Sequence, residues 1–170
     1  STDPKLGDKV DVFRVDYDSY MFSAGPSLGD VLKEAQAKLD PILLQSKYRR
    51  VFLIGHSLGG NLARSYLMHI KTRYGHPTLS RFRITYTLGT PMLGSSLATV
   101  ASFASANQHL RVLLPIKVND FQQSLNMTMF DVTKKAAMGV CPGIYIHTGY
   151  ETQPMGPAGV VVDEASATAY

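Results

Sequence analysis

Short apolar runs alternate along this chain with longer stretches in which apolar residues return every three or four positions. Val10 to Tyr17 (Val-Asp-Val-Phe-Arg-Val-Asp-Tyr) is rich in Val and aromatics and predicts a strand. Ser27 stands three residues before Asp30, the spacing of a capping box. Leu28, Val31, Leu32, Ala35, Leu39, Ile42 and Leu43 then follow at helical spacing, and Pro41 is expected to kink that helix or end it near Leu39. Residues 50–55 read as a buried strand. Leu62, Ala63, Tyr66, Leu67 and Ile70 mark the inner face of a helix that runs to about Arg73, with Gly75 and Pro77 as its stop. Phe82 to Leu88 reads as a strand ending in the turn Gly89-Thr90-Pro91. Helical patches are expected near 96–106 and 120–138, a strand over Gly143–Tyr150, and a short extended piece at Val160–Val162.

Strands that alternate with helices predict an α/β domain with a mainly parallel sheet and helices on both faces. The near-continuous apolar run Val51 to Ile54 fits a strand buried on both sides. At 170 residues the chain is one domain's worth, 1–170, with no repeat and no low-complexity linker. Residues 95–140 carry Met127, Met129, Phe103 and Phe130, and they read equally as a cap or lid over the site and as a helical layer packed on the sheet.

The candidate chemistry lies where the strand Val51-Phe52-Leu53-Ile54 meets Gly55-His56-Ser57-Leu58-Gly59 and a helix follows at once. That context predicts a nucleophile elbow, a sharp turn that lifts the Ser57 hydroxyl clear of the backbone. Gly55 and Gly59 are expected to be glycine because a side chain at either would collide with the crossing of strand and helix. The Leu58 N–H is expected to hold the oxyanion that forms when Ser57 attacks a carbonyl.

Composition removes several alternatives. Lys plus Arg is 17 and Asp plus Glu is 13, and the cations are scattered rather than gathered into a stripe, so no nucleic-acid partner is expected. Attraction to a membrane surface stays open. Cys141 is the one cysteine, which excludes an intrachain disulfide and reads as a buried thiol. No metal-ligand spacing and no phosphate loop are present, so neither metal nor cofactor is expected. No stretch has the length and apolarity of a membrane span.

Two segments together give the chain a resemblance. Gly55-His56-Ser57-Leu58-Gly59-Gly60-Asn61-Leu62-Ala63-Arg64 and Thr87-Leu88-Gly89-Thr90-Pro91-Met92-Leu93-Gly94-Ser95, about thirty residues apart, resemble the elbow and the post-strand loop of α/β-hydrolases of the lipase and esterase type. The chain is similar over residues 10–100 to bacterial triacylglycerol lipases and to deacylases of lipid-linked inositol. The resemblance implies a lipid or ester substrate. It also implies an upstream oxyanion strand between Val10–Tyr17 and Val51–Ile54 and a downstream histidine loop. On that basis the chain is expected to be a piece of a larger protein, partnered by the remainder of the domain.

Catalysis by Ser57 needs a base and an acid to orient it, in the order serine, acid, histidine along such chains. Asp163 is the favoured acid, Glu151 the runner-up and Asp120 a third choice. Related lipases carry Asp-Gly-Val-Val followed by Ser-Ala, and here Gly159-Val160-Val161 and Ser166-Ala167 match while Ala158 stands where the Asp would be. His56 reads as a structural motif residue, His69 as exposed, His76 as a turn residue, His109 as the end of a helical patch and His147 as a core or edge residue. The base is therefore expected beyond Tyr170. The function expected is a serine hydrolase of carboxylic esters. A non-catalytic scaffold on the same frame, an acyltransferase and a thioesterase are the alternatives.

Overall fold

The computed structural model describes residues 9–17, 26–45, 47–94, 120–138, 144–150, 152 and 164–168. Their elements run α1 (Leu28–Leu43), β1 (Val51–His56), α2 (Leu58–Leu79), β2 (Phe82–Leu88), α3 (Asp120–Ala137), β3 (Tyr145–Gly149) and α4 (Glu164–Ala167). The strands form a parallel sheet in the order β1-β2-β3, with Leu53 opposite Thr85 and Thr85 opposite Ile146. All three strands therefore end side by side.

Local chemistry sets the ends of α1. Ser27 and Asp30 close the expected capping box: the Ser27 hydroxyl takes the Asp30 N–H, and the Asp30 carboxylate takes the Ser27 N–H. Pro41 does not end the helix near Leu39, because α1 continues to Leu43. Pro41 lies so near the end that the helix loses one hydrogen bond and little else. The last carbonyls are then taken by Arg81, whose guanidinium donates to Leu43, Gln45 and Tyr48 oxygens, so one side chain satisfies a helix end and the loop beyond it.

The first run of α2 stops as expected at Gly75, where φ is 74°, and a short second turn carries the chain to Leu79. Val10–Tyr17 differs from expectation. No strand is assigned there, and Val12 is 77% exposed. A strand exists only by pairing, and no described edge pairs with this stretch. Its inner residues still pack, with Val15 and Tyr17 lying against Leu28, Val31, Leu58 and Leu62. The far edge of β1 has no partner among the described residues.

The main core lies on one sheet face. Val51, Phe82, Ile144 and Ile146 meet Tyr66, Leu67 and Ile70 of α2, Leu43 of α1, and Leu125, Met129 and Val132 of α3. No described helix covers the opposite face, where Phe52 is 51% and Ile54 72% exposed and the Tyr86 ring stacks on His147 at 5.1 Å. Of the expected cap, α3 thus contributes to the core, and residues 95–119 lie outside the described residues, as do Cys141 and Val160–Val162.

One polar cluster ties α1 to α2. The Asp40 carboxylate accepts from the Tyr66 hydroxyl at 2.6 Å, the Tyr74 hydroxyl at 2.8 Å and His69 Nε2 at 2.8 Å. Burial alone would push the Asp40 carboxyl up, but the three donors together hold it below the ordinary carboxylate range. A depressed folded pKa means that the stabilisation is present above the unfolded value of about 3.9 and is lost as pH falls through the folded one. Asp40→Asn, which keeps the volume but turns an amide N–H toward the donors, is expected to cost about 1–3 kcal/mol at pH 7. In urea unfolding the gap between the two proteins should narrow as pH is lowered below 4, where the wild-type carboxyl also protonates.

Candidate active site

The sharp strand-to-helix turn expected at Ser57 is present in the backbone. β1 ends at His56, α2 begins at Leu58, and Ser57 between them adopts φ 51°, ψ −123°. It is the one non-glycine residue with positive φ among the described residues. Such a conformation costs on the order of 1–3 kcal/mol and persists only when its surroundings fix it. Here the Ser57 N–H donates to Leu88 O at 2.8 Å and its carbonyl accepts from Gly60 N at 3.0 Å. The Ser57 side chain makes no capping bond to the helix, so its hydroxyl is not spent on structure. Ser57 itself is half-buried.

The two expected glycines divide. A Cβ on Gly55 would lie 2.4 Å from Gly59 O and 2.6 Å from Gly60 N, both backbone atoms, so the strand and helix can cross this closely only with glycine at 55. Gly59 is different from expectation. The nearest described atom to its would-be Cβ is the Tyr17 hydroxyl at 3.6 Å, an ordinary contact, so no collision forbids a side chain there. The second tight position is Gly60, where a Cβ would fall 2.8 Å from both Cβ and Cγ2 of buried Thr90. This contact seats the loop after β2 on the first turn of α2.

That loop, Gly89–Gly94, is held from both sides. The Gly89 N–H donates to Gly149 O at 2.7 Å, which locks the ends of β2 and β3 together. From α3, Gln122 Nε2 donates to Pro91 O at 3.1 Å and Asn126 Nδ2 to Met92 O at 2.9 Å. Asn126 Oδ1 in turn accepts from the buried Arg64 guanidinium, which also reaches Asn61 Oδ1 at 3.3 Å. From α4, the Ser166 carbonyl accepts the Met92 N–H at 2.9 Å and its hydroxyl donates to Gly94 O at 2.9 Å. Gln122, Asn126, Arg64 and Ser166 were not among the sequence-derived candidates. Two amides four residues apart on the otherwise apolar face of Leu125, Met129 and Val132 were the signal for the first pair.

The amides at the start of α2 converge on the space beside Ser57. Gly60 N is bonded to Ser57 O, whereas Leu58 and Gly59 lie at positions whose N–H groups lack helical acceptors. No acidic residue occupies the first turn, so the positive end of the helix is not neutralised. The expected Leu58 N–H thus sits at the start of α2, though Leu58 buries its side chain in the packing of α1 on α2.

The rest of the expected triad is not assembled within the described residues. Asp163, Glu151, Ala158 and His109 lie outside them. Asp120 opens α3 and is exposed. His56 points to the uncovered sheet face, His147 stacks there on Tyr86, and His76 lies beyond the Gly75 break. His69 is not exposed as expected. It is paired with Asp40 twelve residues into α2 from Ser57, roughly 18 Å along the helix at 1.5 Å per residue. Among the described residues there is no metal-binding cluster and no helix long and apolar enough to cross a membrane.

A model of the lecithin:cholesterol acyltransferase family matches residues 32–138, well over half of the chain. The chain belongs to the lecithin:cholesterol acyltransferase family. No curated protein matches it. Among solved structures, phospholipase PlaB from Legionella pneumophila superposes with a TM-score of 0.51 over 76% of this chain at 18% identity, a likeness of fold. This chain spans 28% of the length of that phospholipase. The family and the shared fold establish a lipase-type α/β-hydrolase with a parallel sheet.

The glycine contacts give a direct test. Gly55→Ala must push β1 off α2 and is expected to cost more than about 3 kcal/mol, as overpacking against rigid backbone does. Gly59→Ala meets no such contact and is expected to melt within a few degrees of wild type. Thermal unfolding of both variants checks this, and similar melting points for the two would contradict the close crossing.

Proposed function

We propose that this chain carries the nucleophile of a serine esterase that cleaves carboxylic esters of lipids through an acyl-enzyme on Ser57. The observation that carries the reading is the backbone of Ser57, held at φ 51° by contacts on both sides while its hydroxyl takes no structural role. The family membership supports a lipid acyl ester as substrate.

On this reading the steps are as follows. Ser57 Oγ attacks the acyl carbonyl as a base takes its proton, and the carbonyl oxygen becomes an oxyanion beside the Leu58 N–H. Collapse breaks the ester C–O bond, and the leaving alkoxide receives the proton held by the base. The Ser57 acyl ester is then cleaved by water, giving a carboxylic acid, or by an alcohol, giving a new ester. The family description favours keeping the second outcome open, since an acyltransferase and an esterase share every step up to that branch. A removed oxyanion donor costs about 10²–10³ in kcat in well-studied serine hydrolases, which sets the scale for the amides at the start of α2.

The test is covalent. A fluorophosphonate probe applied to the intact protein is expected to add one phosphonyl group to the peptide containing Ser57, read by mass spectrometry, and Ser57→Ala should abolish both labelling and ester turnover. Labelling elsewhere, or turnover that survives Ser57→Ala, would refute the reading.

A further inference from the structure

Tyr17 lies on the stretch expected to be a strand, yet it packs against the apolar cluster of Leu28, Val31, Leu58 and Leu62 where α1 meets the start of α2. Its hydroxyl reaches to 3.6 Å from the point where a Gly59 Cβ would sit. Helix Cα–Cβ bonds tilt toward the N-terminus, so that point lies over the first turn, on the side of the unpaired Leu58 and Gly59 amides. Gly59 therefore leaves an atom-sized opening, bordered by a phenol on one side and the helix start on the other. No hydrogen bond joins the Tyr17 hydroxyl to another described residue. Partial burial pushes the phenol pKa up, so the group stays protonated and available as a donor at neutral pH.

We propose that Tyr17 is a substrate-contacting residue of the Ser57 site, its hydroxyl donating to the acyl oxygen of a lipid ester seated in the opening that Gly59 leaves. This rests on Ser57 being the nucleophile. A phenol O–H and the Leu58 N–H then face one oxygen from two elements, one on each side of α1 in the chain. The phenol hydrogen bond strengthens as the carbonyl oxygen gains charge, which is the condition for a donor to raise kcat rather than only tighten binding. The same placement explains a glycine at 59 that no steric contact requires, because a methyl group there would crowd an oxygen bound between the phenol and the helix start.

Three measurements on the intact protein test this. Tyr17→Phe keeps the ring on its apolar cluster, so its melting point should stay within a few degrees while kcat falls roughly ten- to hundredfold with KM changed by less than about threefold. Gly59→Ala, whose nearest contact would be ordinary, should fold and yet lose turnover by a similar factor. Third, 3-fluorotyrosine placed at position 17 should change its 19F resonance when a fluorophosphonate forms its adduct at Ser57. There the Ser57 Oγ–P bond replaces P–F, fluoride and the hydroxyl proton leave, and the phosphonyl oxygen takes the place of the oxyanion. A Tyr17→Phe enzyme with kcat within twofold of wild type overturns the assignment. So does an unmoved 19F resonance in protein that mass spectrometry shows to be modified at Ser57, and in that case the nucleophile stands while the role of Tyr17 falls. Failure to modify Ser57 at all overturns both.

Discussion

The approach of β1 to α2 at Gly55 is the contact on which the rest depends. A hydrogen at that Cα lets the helix backbone come to within 2.4–2.6 Å of where a Cβ would lie, and the chain can reverse from strand to helix within one residue only because of it. Ser57 is the residue at the reversal, and its unusual φ is the geometric cost of turning so sharply. The cost is offset next door, by the bond from its N–H to Leu88 and the core beneath Val51 and Tyr66. The same turn puts a hydroxyl that caps no helix amide beside the helix-start amides of Leu58 and Gly59, which have no partner among the described residues.

A second layer of polar contacts keeps the neighbouring loop in register with that turn. Thr90 sits in the notch above Gly60, and the carbonyls of Pro91, Met92 and Gly94 are bonded by Gln122, Asn126 and Ser166 from two separate helices. A loop with satisfied, buried carbonyls holds one conformation, because leaving them unpaired would cost about 1–3 kcal/mol each. Arg64 extends the network under the elbow through Asn126. The surroundings of Ser57 are thus fixed by side chains from α2, α3 and α4 that have no chemical role of their own.

Local signals in the sequence carried most of the fold. The capping box at Ser27 and Asp30, the limits of β2 and the break at Gly75 depend on neighbours in the chain, and each is found where the residues put it. The elbow was legible for the same reason, since strand, turn and helix are contiguous. What failed depended on distant partners. Val10–Tyr17 has strand composition, but a strand needs an edge to pair with, and composition cannot supply one. His69 has the spacing of a helix surface residue, and only the arrival of Asp40 from α1 takes it out of solvent. Gly59 belongs to a motif whose sterics fall on Gly55 and Gly60, which no spacing reveals.

The layout also brings the turn at Ser57 and the loop after β2 to one end of the sheet. The strands are parallel, so the elbow after β1 and the loop after β2 leave the sheet on the same side, and Gly89 bonded to Gly149 sets the end of β3 beside them. The Asp40 cluster lies far along α2 and fastens α1 to it, which leaves the first turn of α2 clear of acidic side chains. A carboxylate at that first turn would satisfy the helix dipole permanently and leave nothing for a transient anion. Asp40 works as a fastener at the distant end, and the helix field at Ser57 meets no carboxylate from the first turn of α2 itself.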